Sequence, residues 1–257
     1  MTPFNVPCAR VLRVPVHVIS LDGVVRQMEG WIQERDGHRW IAVTSSHGIV
    51  EGYKCQEFRQ ILESATLSVP DGKWTARAAA ARLSLAPQQV RGADLMTAFS
   101  ALAQQRGYSS YFLGDTSEVL ERLASKLRGQ FPGLQIAGAY SPPFRPLSEE
   151  ENEEVIRIIN DAKPDVLWVC LGLPKQERWI VANRRKLCVP IIVASGAAAK
   201  FVSGSVAPAP LWFRERGFEW LWRLIREPRR CWRRAVLYGP QFALLAILEL
   251  SGLRTYK

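Results

Sequence analysis

The sequence has no apolar run long enough to cross a bilayer. Its longest late run, FALLAIL from Phe242 to Leu248, falls far short of the roughly 20 residues that a spanning helix needs. The opening stretch, MTPFNVPCARVLRVPV, carries neither the charged start nor the long apolar core of an export signal. The expectation is a chain that is neither exported nor membrane-spanning. Histidine is scarce, and His17, His38 and His47 stand at no metal-ligand spacing. The five cysteines, Cys8, Cys55, Cys170, Cys188 and Cys231, are odd in number and form no CxxC pair, which favours reduced thiols in the cytoplasm. There is no GxGxxG after a strand, no GxxxxGK[ST], no DxD and no Ser-centred elbow. These gaps argue against the common dinucleotide and P-loop sites and against a metal-bridged nucleotide diphosphate, so no metal and no cofactor are expected.

What is present is a globular composition, 47% hydrophobic and 23% charged, in 257 residues with no repeat or low-complexity tract. That length buries a substantial core. The net charge is +10, and residues 210–257 hold ten Lys/Arg against four Asp/Glu, or +6, which leaves +4 for the first 209. Such a cluster points to a polyanion, either nucleic acid or anionic membrane headgroups. Apolar runs of strand length (RVPVHVIS, WIAVTS, ATLSV, SSYFLG, LQIAGAY, DVLWVCLG, PIIVASG) alternate with stretches at helical spacing. One of these, DTSEVLERLASKLRGQF, opens on capping residues and closes near Pro132-Gly133. Strands separated by helices predict an α/β fold with a parallel sheet. DVLWVCLG lacks polar alternation and predicts a strand buried on both faces.

In such sheets ligands bind at the carboxyl ends of the strands, beside helix N-termini. Those ends read Thr44-Ser45-Ser46, Pro70-Asp71-Gly72, Leu113-Gly114-Asp115, Gly172-Leu173-Pro174-Lys175-Gln176 and Ser195-Gly196-Ala197. Each alone is equally a cap or a turn, and Asp71 is either a turn residue or a carboxylate held for a reaction. Their recurrence on one rim favours a site. From about Trp212 the character changes. Phe218, Leu221, Trp222, Ile225, Trp232 and Val236 make an apolar stripe, with Arg223, Arg226, Arg230 and Arg233 alongside and a break at Glu227-Pro228. This suits a membrane surface, and equally an ordinary packed helix with a solvated basic face. The expected organisation is a body over 1–209 and a basic amphipathic helical appendage over 210–257.

PDG at 70–72, RGADLM at 91–96, YFLGDTSEVLERLASKLRGQFPGLQIAG at 111–138, LGLPKQERWI at 171–180 and GFEWLWRLIREPRRCWRR at 217–234 together resemble the WecG/TagA/CpsF family of bacterial glycosyltransferases. The resemblance runs in order over nearly the whole chain. It implies a Rossmann-like α/β catalytic body with its own topology, and a C-terminal appendage that completes the active site at the cytoplasmic face of the plasma membrane. The reaction it implies is metal-independent, inverting transfer of a sugar from a UDP-sugar to a polyprenyl-diphosphate-linked saccharide, in exopolysaccharide, capsule or related surface-glycan synthesis. Asp71 would be the general base, and Thr44 would orient donor or acceptor. Gln176 would touch sugar or phosphate, with Gly114, Gly172, Lys175, Ser195 and Gly196 on the same substrate-binding rim. Arg223, Arg230 and Arg233 would meet the charge of the UDP leaving group and grip the acceptor diphosphate.

Three departures from the family pattern stand out: Ser46 where many members have Asn, Lys200 in AAKFVSG where an aspartate is usual, and Lys73-Trp74 directly after PDG. Two extra cations, Lys73 and Lys200, would fit a donor with an acidic sugar or a different hold on the diphosphate. The rival readings are a noncatalytic nucleotide- or RNA-binding module and a degenerate member that binds donor without turnover. Tryptophans on one helical face, opposite much of the arginine, weigh against a nucleic-acid stacking platform, so no nucleic acid is expected. A homo-oligomer is left open.

Overall fold

The computed structural model describes residues 6–35, 38–226, 228, 232 and 234–253. In chain order its elements are β1 (Cys8–Val11), β2 (Val14–His17), α1 (Leu21–Glu34), β3 (Arg39–Thr44), α2 (Ser46–Lys54), α3 (Gln56–Glu63), β4 (Leu67–Pro70), α4 (Lys73–Ala81), α5 (Gly92–Arg106), β5 (Ser109–Leu113), α6 (Ser117–Gln130), β6 (Gln135–Tyr140), α7 (Glu149–Ala162), β7 (Val166–Val169), α8 (Lys175–Asn183), β8 (Ile191–Ala194), α9 (Ala198–Val202), α10 (Leu211–Arg216), α11 (Glu219–Arg226), a π-helical turn (Arg234–Tyr238) and α12 (Gly239–Leu250). The main sheet has six strands in the order β4-β3-β8-β7-β5-β6. This is the parallel α/β fold that the alternation predicts. The chain divides into two compact units: one of residues Met1–Ser20, Thr44–Val90 and Pro208–Lys257, the other of Leu21–Val43 and Arg91–Ala207.

The second unit carries the centre of the sheet. Strands β7 and β8 are buried along their full length, as continuous Val, Ile, Leu and Trp runs require when helices cover both faces. Trp168 is fully buried, and its indole N–H donates to Ser110 Oγ at 3.2 Å, which satisfies the one polar atom of an otherwise apolar ring. The registers Leu113↔Val169, Val169↔Ala194 and Leu113↔Tyr140 bring the carboxyl ends of β5, β6, β7 and β8 to one level. The loops that follow therefore start from a common rim. Helix α6 begins where the capping residues predict, with Thr116 Oγ1 accepting the Val119 N–H. A reciprocal capping box, Ser148 with Glu151, starts α7.

The first unit contains a correction. RVPVHVIS reads as one strand of the main sheet, whereas Cys8–Val11 and Val14–His17 form a separate antiparallel hairpin. Leu12 and Arg13 between them both take left-handed conformations, φ 49° and 73°, as a tight twisted hairpin demands. Helix α12 buries Phe242, Leu245 and Ala246 in this unit, worth about 2 kcal/mol for each of the two larger side chains. Beside them the Glu249 carboxylate accepts the Leu12 N–H at 3.0 Å and lies 3.3 Å from the Arg82 guanidinium. Leu244, Ile247 and Leu250 on the same helix remain exposed. Of the fourteen exposed large apolar side chains among the described residues, eleven lie between Leu211 and Leu253, so exposed apolar surface is a property of one segment. Among the described residues no helix is long and apolar enough to cross a membrane.

Candidate active site

In the first unit the site is built around the ends of β3 and β4. Thr44 is buried; its Oγ1 lies 3.1 Å from Ser68 Oγ, and its carbonyl accepts the Asp71 N–H at 3.0 Å. The Asp71 carbonyl accepts from Gln89 Nε2 at 2.8 Å, and the Pro70 carbonyl accepts the Val90 N–H at 2.9 Å. The peptide groups flanking Asp71 are thus held by three hydrogen bonds to two other parts of the same unit, Thr44 and the Gln89-Val90 segment. Thr44 and Asp71, 27 residues apart in sequence, become direct neighbours. Beneath them, Ser68 N–H donates to His17 Nδ1 at 3.0 Å, and burial lowers the imidazole pKa from its ordinary value. Ser68 escapes a sequence reading that looks for strand ends, although a serine inside the apolar run LSVP is itself a signal.

Lys73 and Trp74 follow as the first two residues of α4, with Gly72 at the cap position. The Lys73 ammonium donates to the Glu215 carbonyl, and Trp74 Nε1 donates to the Gly217 carbonyl at 3.2 Å.

In the second unit, the predicted rim residues fall into two linked groups. Gln176 is almost fully buried, and its Oε1 accepts the N–H groups of Gly172 at 3.2 Å and Gly196 at 2.9 Å. Its Nε2 donates to Glu177 Oε1 at 2.8 Å. One amide thereby ties the loop after β7 to the loop after β8. Two turns of that logic explain the rest of the PKQERW stretch: Trp179 Nε1 donates to Asn152 Oδ1 at 2.8 Å, and Asn152 Nδ2 donates to Asn183 Oδ1 at 2.8 Å, which fastens α8 to α7. Lys175 stands exposed at the start of α8.

The other group surrounds Gly114. At φ 114° with a Cβ position only 2.7 Å from the Cys170 carbonyl carbon, this residue has to be glycine for β5 and β7 to end side by side. Asp115 next to it has its carboxylate almost fully buried, accepting the Thr116 N–H at 3.0 Å and lying 3.5 Å from the Lys200 ammonium. Lys200 therefore has a carboxylate partner within its own unit. Ser195 Oγ sits 3.2 Å from Cys170 Sγ, and burial pushes that thiol up to about 11. Asp115 stands on the predicted rim, but its pairing with Lys200 and the contact of Cys170 with Ser195 escape sequence reasoning, because these partners are far apart in the chain. Of the tail residues expected at the site, Arg230 and Arg233 lie outside the described residues, as does Glu227 of the expected break. Arg223 falls on α11.

Comparison with known proteins adds an independent observation. The model of the "Glycosyl transferase WecG/TagA/CpsF family" matches residues 9–256. The chain is 27% identical over 203 residues to a protein of Bacillus subtilis (strain 168), covering 79% of this chain and 77% of the relative. It is 29% identical over 215 residues to one of Bacillus spizizenii, covering 84% and 81%. A protein of Staphylococcus aureus (strain MW2) is 25% identical over 178 residues, covering 69% and 68%. Each relative is named N-acetylglucosaminyldiphosphoundecaprenol N-acetyl-beta-D-mannosaminyltransferase.

Proposed function

The chain belongs to the glycosyl transferase WecG/TagA/CpsF family, and from that premise we propose that it moves a neutral N-acetylhexosamine from a UDP-sugar to a saccharide carried on a polyprenyl diphosphate, with Asp71 as the general base. The acceptor oxygen bonds to the anomeric carbon while its proton passes to the Asp71 carboxylate. The bond from that carbon to the UDP oxygen breaks in the same step, which inverts the centre. The transfer is metal-independent, and guanidinium groups of the C-terminal segment serve both anions: Arg230 and Arg233 meet the charge left on UDP, while Arg223 grips the acceptor diphosphate.

The observation that carries this reading is the setting of Asp71, whose peptide groups are bonded on both sides to Thr44 and Gln89 at a strand end. A base must be held within hydrogen-bond reach of the proton it takes, and a fixed backbone meets that need. The neutral donor follows the names of the relatives. It is also supported by the two departures that had suggested an acidic sugar, since Lys200 faces Asp115 and Lys73 donates to the Glu215 carbonyl. Gly114, Gly172, Gln176, Ser195 and Gly196, with Lys175, form the donor side. The basic segment over 210–257 works as a peripheral attachment to the inner face of the plasma membrane, in line with its exposed Leu, Ile, Val and Trp side chains. The product is a surface glycan precursor.

The test is a panel of UDP-sugars with a polyprenyl-diphosphate-linked acceptor, comparing wild type with Asp71→Asn. Turnover should fall by about 100- to 10,000-fold, the usual worth of general base catalysis, with UDP affinity retained. Near-normal turnover in the variant would remove Asp71 as the base, and preference for a uronic acid donor would overturn the neutral assignment.

A further inference from the structure

Resting on the reading of Asp71 as the base, we infer that Lys73 and Trp74 are positioning residues: together they form a two-point clamp that registers residues 211–217 beside the Asp71 turn. The two side chains stand two and three positions after Asp71. Each donates to a different carbonyl at the end of α10, Lys73 to Glu215 and Trp74 to Gly217. These carbonyls belong to a helix end, where acceptors lack intrahelical donors and a cation is favoured. The Arg77 guanidinium, 4.9 Å from the Trp74 ring centroid, steadies an indole that is otherwise 46% exposed.

Gly217 fits the clamp in two respects. Its φ of 79° is left-handed, and a Cβ there would stand 3.0 Å from Trp74 Nε1 and 3.6 Å from Lys73 Cβ. The space is already taken by the two clamping side chains. What the clamp holds extends beyond α10, because Phe213 lies 5.6 Å, centroid to centroid, from Trp222, and Trp212 lies 6.5 Å from Phe218. Helix α11, which carries Arg223, is thereby registered with α10. In the proposed reaction this segment grips the acceptor, and a misplacement of about 1 Å between acceptor hydroxyl and base is enough to cost about 100-fold in rate. The clamp thus acts on the acceptor side of the reaction and leaves the donor side alone.

The experiment uses the full chain on phosphatidylcholine/phosphatidylglycerol vesicles carrying a polyprenyl-diphosphate-linked N-acetylglucosamine, with Lys73→Met, Trp74→Phe, the double variant and Lys73→Arg. Each of the first two should lower kcat/KM for the acceptor by about five-fold, the worth of one net hydrogen bond. The double variant should lose less than the product, since both bonds hold one segment. The dissociation constant of UDP should stay within about two-fold of wild type, Lys73→Arg should recover most of the loss, and tryptic cleavage within 211–226 should accelerate when either clamp is removed. Weakened UDP binding with an unchanged acceptor KM in Lys73→Met would assign Lys73 to the donor and overturn the proposal. Wild-type acceptor kinetics and wild-type cleavage in both single variants would overturn it as well. If Asp71→Asn keeps normal turnover, the base reading fails and the cleavage rates decide the clamp alone: faster cleavage supports it, unchanged cleavage refutes it.

Discussion

Replacing Gln176 by Met keeps the length and most of the volume of a buried side chain while removing every polar contact it makes. The lost contacts are the two N–H groups of Gly172 and Gly196 that its Oε1 accepts, and the bond from its Nε2 to Glu177. At about 1 kcal/mol for each net hydrogen bond, the sum is about 3 kcal/mol. The three bonds share a single side chain and are not independent, which lowers the sum, whereas the buried Glu177 carboxylate loses a donor, which raises it. Gly172 and Gly196 are only half-buried, so water reaches their N–H groups and no deeper penalty applies there. Urea unfolding of wild type and Gln176→Met should therefore show a midpoint shift equivalent to about 2–3 kcal/mol with an unchanged slope. Donor kcat/KM should fall together with stability, since the loops on either side of the amide lose their tie. A stability change below about 0.5 kcal/mol with a large loss of donor affinity would refute the reasoning, and would assign the amide to the substrate instead.

Two further outcomes follow from the first unit. Glu249→Leu strips the Leu12 N–H of its acceptor and Arg82 of its counter-charge, and should destabilise the protein by about 2–3 kcal/mol in thermal or urea unfolding, whereas Glu249→Gln keeps the acceptor and should cost about 1 kcal/mol. His17, held neutral by burial, has a folded pKa below its unfolded 6.5, so the unfolded chain takes up a proton first as pH falls. Stability should decline as pH drops through 6.5, by no more than about 1.4 kcal/mol per pH unit, and His17→Gln should flatten that slope. An identical slope in the variant would show that another group titrates there.

The parallel sheet is legible in the sequence because its strands are short apolar runs with turn residues at both ends, and Val166–Val169 and Ile191–Ala194 are buried throughout as that pattern demands. The first hairpin is not legible, because Leu12 and Arg13 occupy left-handed positions that usually announce themselves with Gly or Asn. Asp71 and Thr44 stand out as strand-end residues, yet their contact depends on strand order, a long-range property. Lys200 looks like a spare cation until its partner Asp115 appears from another strand end, 85 residues earlier. Gln176 looks like a ligand contact because the start of a helix normally faces solvent, whereas here two loop N–H groups take its oxygen. Lys73 suggests a phosphate ligand by its charge, and only the position of Glu215 reveals a carbonyl at its tip.

The bond from the Leu12 N–H to Glu249 spans 237 positions of sequence. Chains are made from the N-terminus, so the hairpin leaves the ribosome long before the helix that completes it. The stretch Arg91–Ala207 is meanwhile contiguous, and with Leu21–Val43 it has every residue of its unit before Pro208 is added. The unit that carries Asp71 is therefore the last to be assembled, and it closes only after the apolar C-terminal stretch has been synthesised. A ribosome stalled before residue 239 should display a protease-resistant fragment of the second unit and an unprotected hairpin, because the helix that carries Glu249 has not yet been made.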